Sequence, residues 1–150
     1  MTSSDPSRVL VVTDRVEATP ELLDSIRGRA TRGQCEFHVL VPNPAPAEWH
    51  PTHPERHDKV AEAGRVLADA LPLIEEAAGT PVDGAVSIRH DPMDAIEETL
   101  HDAEFDEIIL FTAPHRIERW LHLDLPHRVA HLGLPVTTVS SEHRAGEPGA

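Results

Sequence analysis

The sequence predicts an α/β protein: one open, parallel, five-stranded sheet with helices on both faces, spanning residues 8–140 as a single domain. Three observations lead there. Five short apolar runs are continuous rather than alternating, which suits strands covered on both sides. Stretches with apolar residues at three- and four-residue steps separate those runs, as amphipathic helices require. Strand and helix take turns along the whole chain, the pattern of successive βα units. A chain of 150 residues can bury one real core, so a single domain is the natural size.

Residues 8–13 (RVLVVT) form the first strand, ending at Asp14. Thr19 followed by Pro20 reads as an N-cap with proline at the first helical position, and Leu22, Leu23, Ile26 and Ala30 continue at helical spacing to about Thr31, before Gly33. Residues 35–42 (CEFHVLVP) are the second strand, closed by Pro42. Four prolines within residues 43–55 make a loop. A long helix starts near Glu55, with Val60, Ala63, Gly64, Leu67, Ala70, Leu71 and Ile74 on one stripe; Pro72, inside that pattern, is expected to kink it or force a local break. Residues 79–84 read as a turn between two glycines and 85–90 (AVSIRH) as the third strand. Asp91–Pro92 repeats the cap-then-proline start, with Met93, Ile96, Leu100 and Ala103 as the buried face. The most hydrophobic segment, 107–112 (EIILFT), is the fourth strand. After a loop of about ten residues, Asp124 is expected to cap a further helix that has Pro126 in its first turn and Val129, Ala130 and Leu132 facing inward. Residues 135–140 (PVTTVS) are the fifth strand. The polar ends, 1–7 and 141–150, are expected to be disordered.

Composition narrows the function. Asp and Glu number 26 against 13 Lys and Arg, a formal charge of −13, and a field of that sign repels nucleic acid and anionic lipid. With two Trp, three Phe and no Tyr, the core has to be aliphatic. The lone cysteine, Cys35, has no internal disulfide partner, and at the start of a buried strand it reads as an inert core thiol. No run approaches the length of a membrane span and the first residues lack an apolar leader, so the expectation is a soluble, cytoplasmic protein.

Right-handed crossovers leave few topologies for five such units. The order 3-2-1-4-5, a Rossmann-like doubly wound arrangement, opens a crevice between the first and fourth strands at their carboxyl ends, where open α/β sheets bind ligands. Asp14 and the loop after Thr112 both border that crevice. The loop has no glycine with which to cradle phosphate; it carries His115, Arg116, Arg119, Trp120, His122 and Asp124 instead.

Three stretches, in order and spacing, resemble the universal stress protein family. RVLVVTD is similar to that family's first strand, whose final Asp contacts the ribose or adenine of ATP. FHVLVP is similar to its second strand, and IRHDPMDAIEETL to its element leading into the third helix, with His90 where Gly is usual. The segment from DEIILFT through RWLHLDLPHRVAHLGLPVTTV follows the family's last third. The resemblance implies ligand contacts at Asp14, Val41, His90 and Thr112, and a homodimer built on the last strand through Val136, Thr137, Thr138 and Val139. The family's ATP binders carry Gly-x2-Gly-x9-Gly-Ser/Thr after the fourth strand. Here Ala113, Pro114, His115, Arg116 and Ile117 take the place of the first glycines, and Leu123–Asp124 that of Gly-Ser/Thr. As an N-cap, Asp124 would occupy the helix's free N–H groups with its own carboxylate, a contribution of about 1 kcal/mol that a phosphate would have to displace.

The remaining candidates divide by chemistry. Arg116 and Arg119 could grip an anion with their guanidinium forks, or pair with Glu118 and Asp124 to fix the loop. Trp120 reads as a hydrophobic anchor of the loop or of a subunit contact. Eleven histidines include His50, His53 and His57 in a proline-broken loop, and His127 and His131 four apart on one helix; neither set has the rigid ligands of a zinc site, and a solvated surface is the expectation. No nucleophile–base constellation, Walker loop or CxxC is present, so no catalysis is expected. The sequence therefore leads to a non-catalytic regulatory or protective protein of universal stress type that holds no cofactor, lacks canonical ATP binding and acts through protein partners or another small ligand. The alternative is an adenine-nucleotide binder using Asp14, with Arg116 and Arg119 on the phosphates.

Overall fold

The structure, a computed structural model, describes residues 6–13, 19–42, 55–87, 91–112, 120–121 and 124–140. Among the described residues nine elements alternate: β1 (Ser7–Thr13), α1 (Pro20–Ala30), β2 (Cys35–Val41), α2 (Glu55–Ala78), β3 (Val82–Val86), α3 (Pro92–Asp102), β4 (Glu107–Thr112), α4 (Leu125–Ala130) and β5 (Val136–Ser140). The five strands form one sheet in the order β3-β2-β1-β4-β5, every pair parallel, as the alternation predicts.

Alternate residues of each strand feed two cores. Val9, Val11, Phe37, Val39, Ile109 and Phe111 pack against α1 and α2, which bury Leu22, Ile26, Leu67 and Ile74. Leu10, Val12, Leu40, Ile108 and Leu110 point the other way, onto Met93 and Ile96 of α3 and Leu125 and Val129 of α4. β1 and β4 lie in the middle of the order and are covered on both faces, which is why their sequences are continuous apolar runs.

The two cap-then-proline starts form as their chemistry dictates. Thr19 Oγ1 accepts from the Leu22 amide at 3.2 Å and Asp91 Oδ1 from the Met93 amide at 2.9 Å, each satisfying a donor the first helical turn leaves open. Asp91 also lies 3.5 Å from Arg128, tying the head of α3 to α4.

Four expectations are corrected. The third strand does not occupy 85–90; it begins at Val82, and residues 88–90 lie outside the described residues. Gly84 misled the reading, because a glycine beside polar residues resembles a turn. In the strand it serves close packing: a Cβ there would stand 3.0 Å from the Val39 carbonyl oxygen and 3.2 Å from Leu67 Cδ2. The turn itself is made by Gly79 at φ 79°, a left-handed conformation that ends α2. Of the two outcomes expected at Pro72, a kink or a local break, the break does not occur, and α2 runs on to Ala78. Ala63, Leu67 and Ala70 before it, and Ile74, Ala77 and Ala78 after it, are all buried, and the burial of both halves outweighs one missing hydrogen bond. Ala130 is exposed rather than inward, because in a helix of six residues Leu125 and Val129, four apart, take the whole inner face.

The fourth correction concerns Asp124. It stands at the N-cap position of α4, but in the left-handed region (φ 58°, ψ 32°), and its side chain makes no cap hydrogen bond. Its Oδ2 accepts from His127 Nδ1 at 3.2 Å instead. The competing demand is the chain reversal: the Asp124 amide donates to the Leu121 carbonyl, and its own carbonyl receives the Arg128 amide. A backbone wound that way aims the carboxylate away from the helix's first N–H groups.

Candidate functional site

The strand order decides where a ligand would approach. Leaving β1, the chain builds outward in one direction through β2 and β3; β4 and β5 then lie on the other side, so the crossovers diverge at the β1/β4 boundary. The carboxyl ends of β2, β1 and β4 stand side by side there: Thr13 and Val41 each follow the Val12–Leu40 pair, and Thr13 is the register partner of Phe111, one residue before Thr112. Thr13 and Thr112 are each 0% exposed. Val41 is buried as well, its side chain in the core under α1 and α2, and its carbonyl accepts from the Ser87 amide at 2.8 Å. Of the candidate ligand contacts, Val41 and Thr112 are among the described residues, at the ends of β2 and β4 with β1 between them. Asp14, His90, Arg116 and Arg119 lie outside the described residues.

Trp120 comes eight positions after Thr112, the last residue of β4. Its residue is only 4% exposed, and it packs with Leu10, Val12, Leu110 and Leu125 in the core beneath α3 and α4. The next residue, Leu121, is 56% exposed. One large ring therefore fixes the chain at position 120 to the sheet face formed by β1 and β4, the two strands that flank the switch point.

The start of α4 has fewer donors than a helix head leaves open: Asp124 spends its amide on the Leu121 carbonyl and Pro126 has none. Phosphate sites at helix termini need several free N–H groups converging on one point. The scarcity comes from the turn and the proline, not from a capping carboxylate.

At the opposite, amino end of the sheet lies an open groove of about 340 Å³ lined by Arg8, Glu36, His38, Asp83 and Phe105 among others. Arg8 and Glu36 are register partners on β1 and β2, as are His38 and Asp83 on β2 and β3. Arg8 Nε stands 4.0 Å from Glu36 Oε1, and His38 Nδ1 donates to Asp83 Oδ1 at 3.3 Å. Phe105 forms the floor, with the Arg8 guanidinium carbon 5.0 Å from its ring centre and the His38 ring 5.9 Å away. No motif in the sequence marks this groove. Its signal was the polar alternation of Glu36 and His38 within an otherwise apolar strand, the mark of a sheet face left uncovered at that end.

His127 and His131 meet edge to face, with ring centres 4.4 Å apart. Among the described residues no group of three His, Cys, Asp or Glu converges as a metal site, and no helix is long and apolar enough to cross a membrane. The Cys35 thiol is buried and held above its ordinary value by that burial. No protein-family model matches the chain, and no curated protein matches it.

Proposed function

We propose that this chain is a non-catalytic regulatory or protective protein of the universal stress type, working through protein partners rather than as an ATP-loaded module. The order β3-β2-β1-β4-β5 supports the architecture of that reading. The observation that carries it is Trp120. In a nucleotide-binding loop the residues after β4 approach the ligand; here the largest of them is spent in the core. The donor-poor start of α4 points the same way.

The proposal includes a cytoplasmic homodimer joined through β5. That strand ends the sheet, and Thr137 and Thr138 are exposed along it, so its outer edge is a template for a second chain. Val136→Lys and Thr138→Pro would then give monomers by light scattering.

A thermal-shift titration with ATP, ADP and AMP, with and without Mg²⁺, tests the nucleotide question. A ligand specific to the native state adds about 2.7 kcal/mol at a hundredfold excess over Kd. The expected result is a flat response. A saturating shift with ATP that disappears in Asp14→Ala would overturn the reading and establish the adenine-nucleotide alternative, with Arg116 and Arg119 as the phosphate contacts.

A further inference from the structure

We propose that the groove at the amino ends of β1, β2 and β3 is a binding site for a small zwitterion, an α-amino acid or the free end of a short peptide. It lies at the far end of the sheet from the switch point and stands independently of the nucleotide question.

Arg8 is held at both its backbone and its guanidinium. Its backbone is fixed, the amide donating to Asp106 Oδ2 at 2.8 Å, and its guanidinium stacks on Phe105. Stacking occupies the flat face of a guanidinium and leaves its N–H edges available. Among the described residues those edges make no hydrogen bond; the nearest acid, Glu36, stands 4.0 Å away. A pre-positioned fork with unused donors suits a carboxylate or a phosphate.

Charge decides between them. The groove sets one guanidinium against two carboxylates, Glu36 at 56% and Asp83 at 81% side-chain exposure, within a chain of net charge −13. Any ligand that is anionic overall is repelled by that field, and a phosphate dianion most of all. A ligand purely cationic would leave Arg8 unanswered and meet its charge. A neutral zwitterion meets both demands: its carboxylate on the Arg8 fork, its ammonium toward Glu36 and Asp83. The volume, about 340 Å³, sits at the small end of ligand sites and has room for an amino acid or a dipeptide. His38 is engaged with Asp83 and holds that carboxylate beside the groove.

Isothermal titration of the full chain with a panel of free L-amino acids and glycylglycine, beside their N-acetyl and carboxamide derivatives, tests the site. The expected result is saturable heat with at least one free zwitterion and none with its two blocked derivatives. Arg8→Met, which keeps the stem over Phe105, and Glu36→Gln, a change at an exposed side chain, should each weaken binding by roughly tenfold or more. Asp14→Ala should leave it unchanged. No heat across the panel up to about 10 mM, weaker than any useful site, would overturn the proposal. So would equal binding of a blocked derivative, or full affinity in both groove variants. Because the probes carry no nucleotide, these outcomes are distinct from those of the thermal-shift titration.

Discussion

Arg29 grips Glu107 with two parallel hydrogen bonds, Nε to Oε2 and Nη2 to Oε1, each 2.9 Å. The fork fastens the last turn of α1 to the first residue of β4, across 78 positions of sequence. Its side chains are only 10% and 20% exposed, so it is not one of the screened surface pairs that contribute little. Removing one partner strands the other in a half-dry site. Glu107→Gln or Arg29→Met should therefore each cost about 2–3 kcal/mol, somewhat less than a fully buried pair because some water reaches this one. Replacing both together, as Arg29→Met with Glu107→Leu, should cost less than the two single changes added, because neither charge is left alone. Urea denaturation of the three variants checks this; additive losses would mean that the fork is not coupled.

Cys35 lies close enough to that pair to sense both of its charges. Burial raises the thiol above its ordinary value of 9.0, and the Arg29 guanidinium pulls the other way without reversing the shift. In the unfolded chain the thiol ionises near its ordinary value, while the native state keeps its proton to higher pH. The native state then binds more protons than the unfolded one, and stability falls as pH rises. The contribution is complete below about pH 9 and is lost as pH climbs through the native value. Arg29, raised chiefly by its hydrogen bonds to Glu107, stays charged through the same range and adds no slope of its own. Denaturation midpoints measured between about pH 7.5 and pH 10 should fall more steeply for the wild type than for Cys35→Ala. Parallel slopes would show that the thiol ionises alike in both states.

How far these features were legible depends on whether their cause is local. The strands β1, β2 and β4 could be read almost to the residue, because continuous apolar runs and cap-then-proline starts are local chemistry. Gly84 could not, since its reason is the Val39 carbonyl pressing on it from the neighbouring strand. The Arg29–Glu107 fork could not either, because no spacing rule connects residues that far apart. At the switch point the strand order was legible, while Asp14 and residues 113–119, expected to border the crevice, lie outside the described residues. The groove at the other end was written more faintly, in the alternation of Glu36 and His38 along one strand.

Trp120 separates an anchor from a ligand platform. As a core residue its removal creates a cavity beneath α3 and α4, and Trp120→Ala should lose about 3–5 kcal/mol by chemical denaturation. Leu121→Ala, one residue on and largely exposed, should stay within about 0.5 kcal/mol. A Trp120→Ala protein as stable as the wild type would mean that the ring is not held in the core, and the proposed loss of the nucleotide loop would lose its main support.

Asp124 offers a test of opposite sign. As a capping residue its replacement would weaken α4. The structure gives it a left-handed backbone and no cap hydrogen bond, with its carboxylate turned to His127 on the surface. A non-glycine residue held in that conformation is strained by about 1 kcal/mol, and glycine is not. The contact with His127 is between two side chains that are each 65% exposed, so little is lost with it. Asp124→Gly should then leave the protein as stable or more stable, by up to about 1 kcal/mol. Asp124→Ala, which keeps the Cβ that strains the turn, should not gain. Paired urea melts of the two variants at neutral pH give the comparison. Destabilisation by both changes would return Asp124 to the capping role and with it the argument that its carboxylate keeps phosphate from the head of α4.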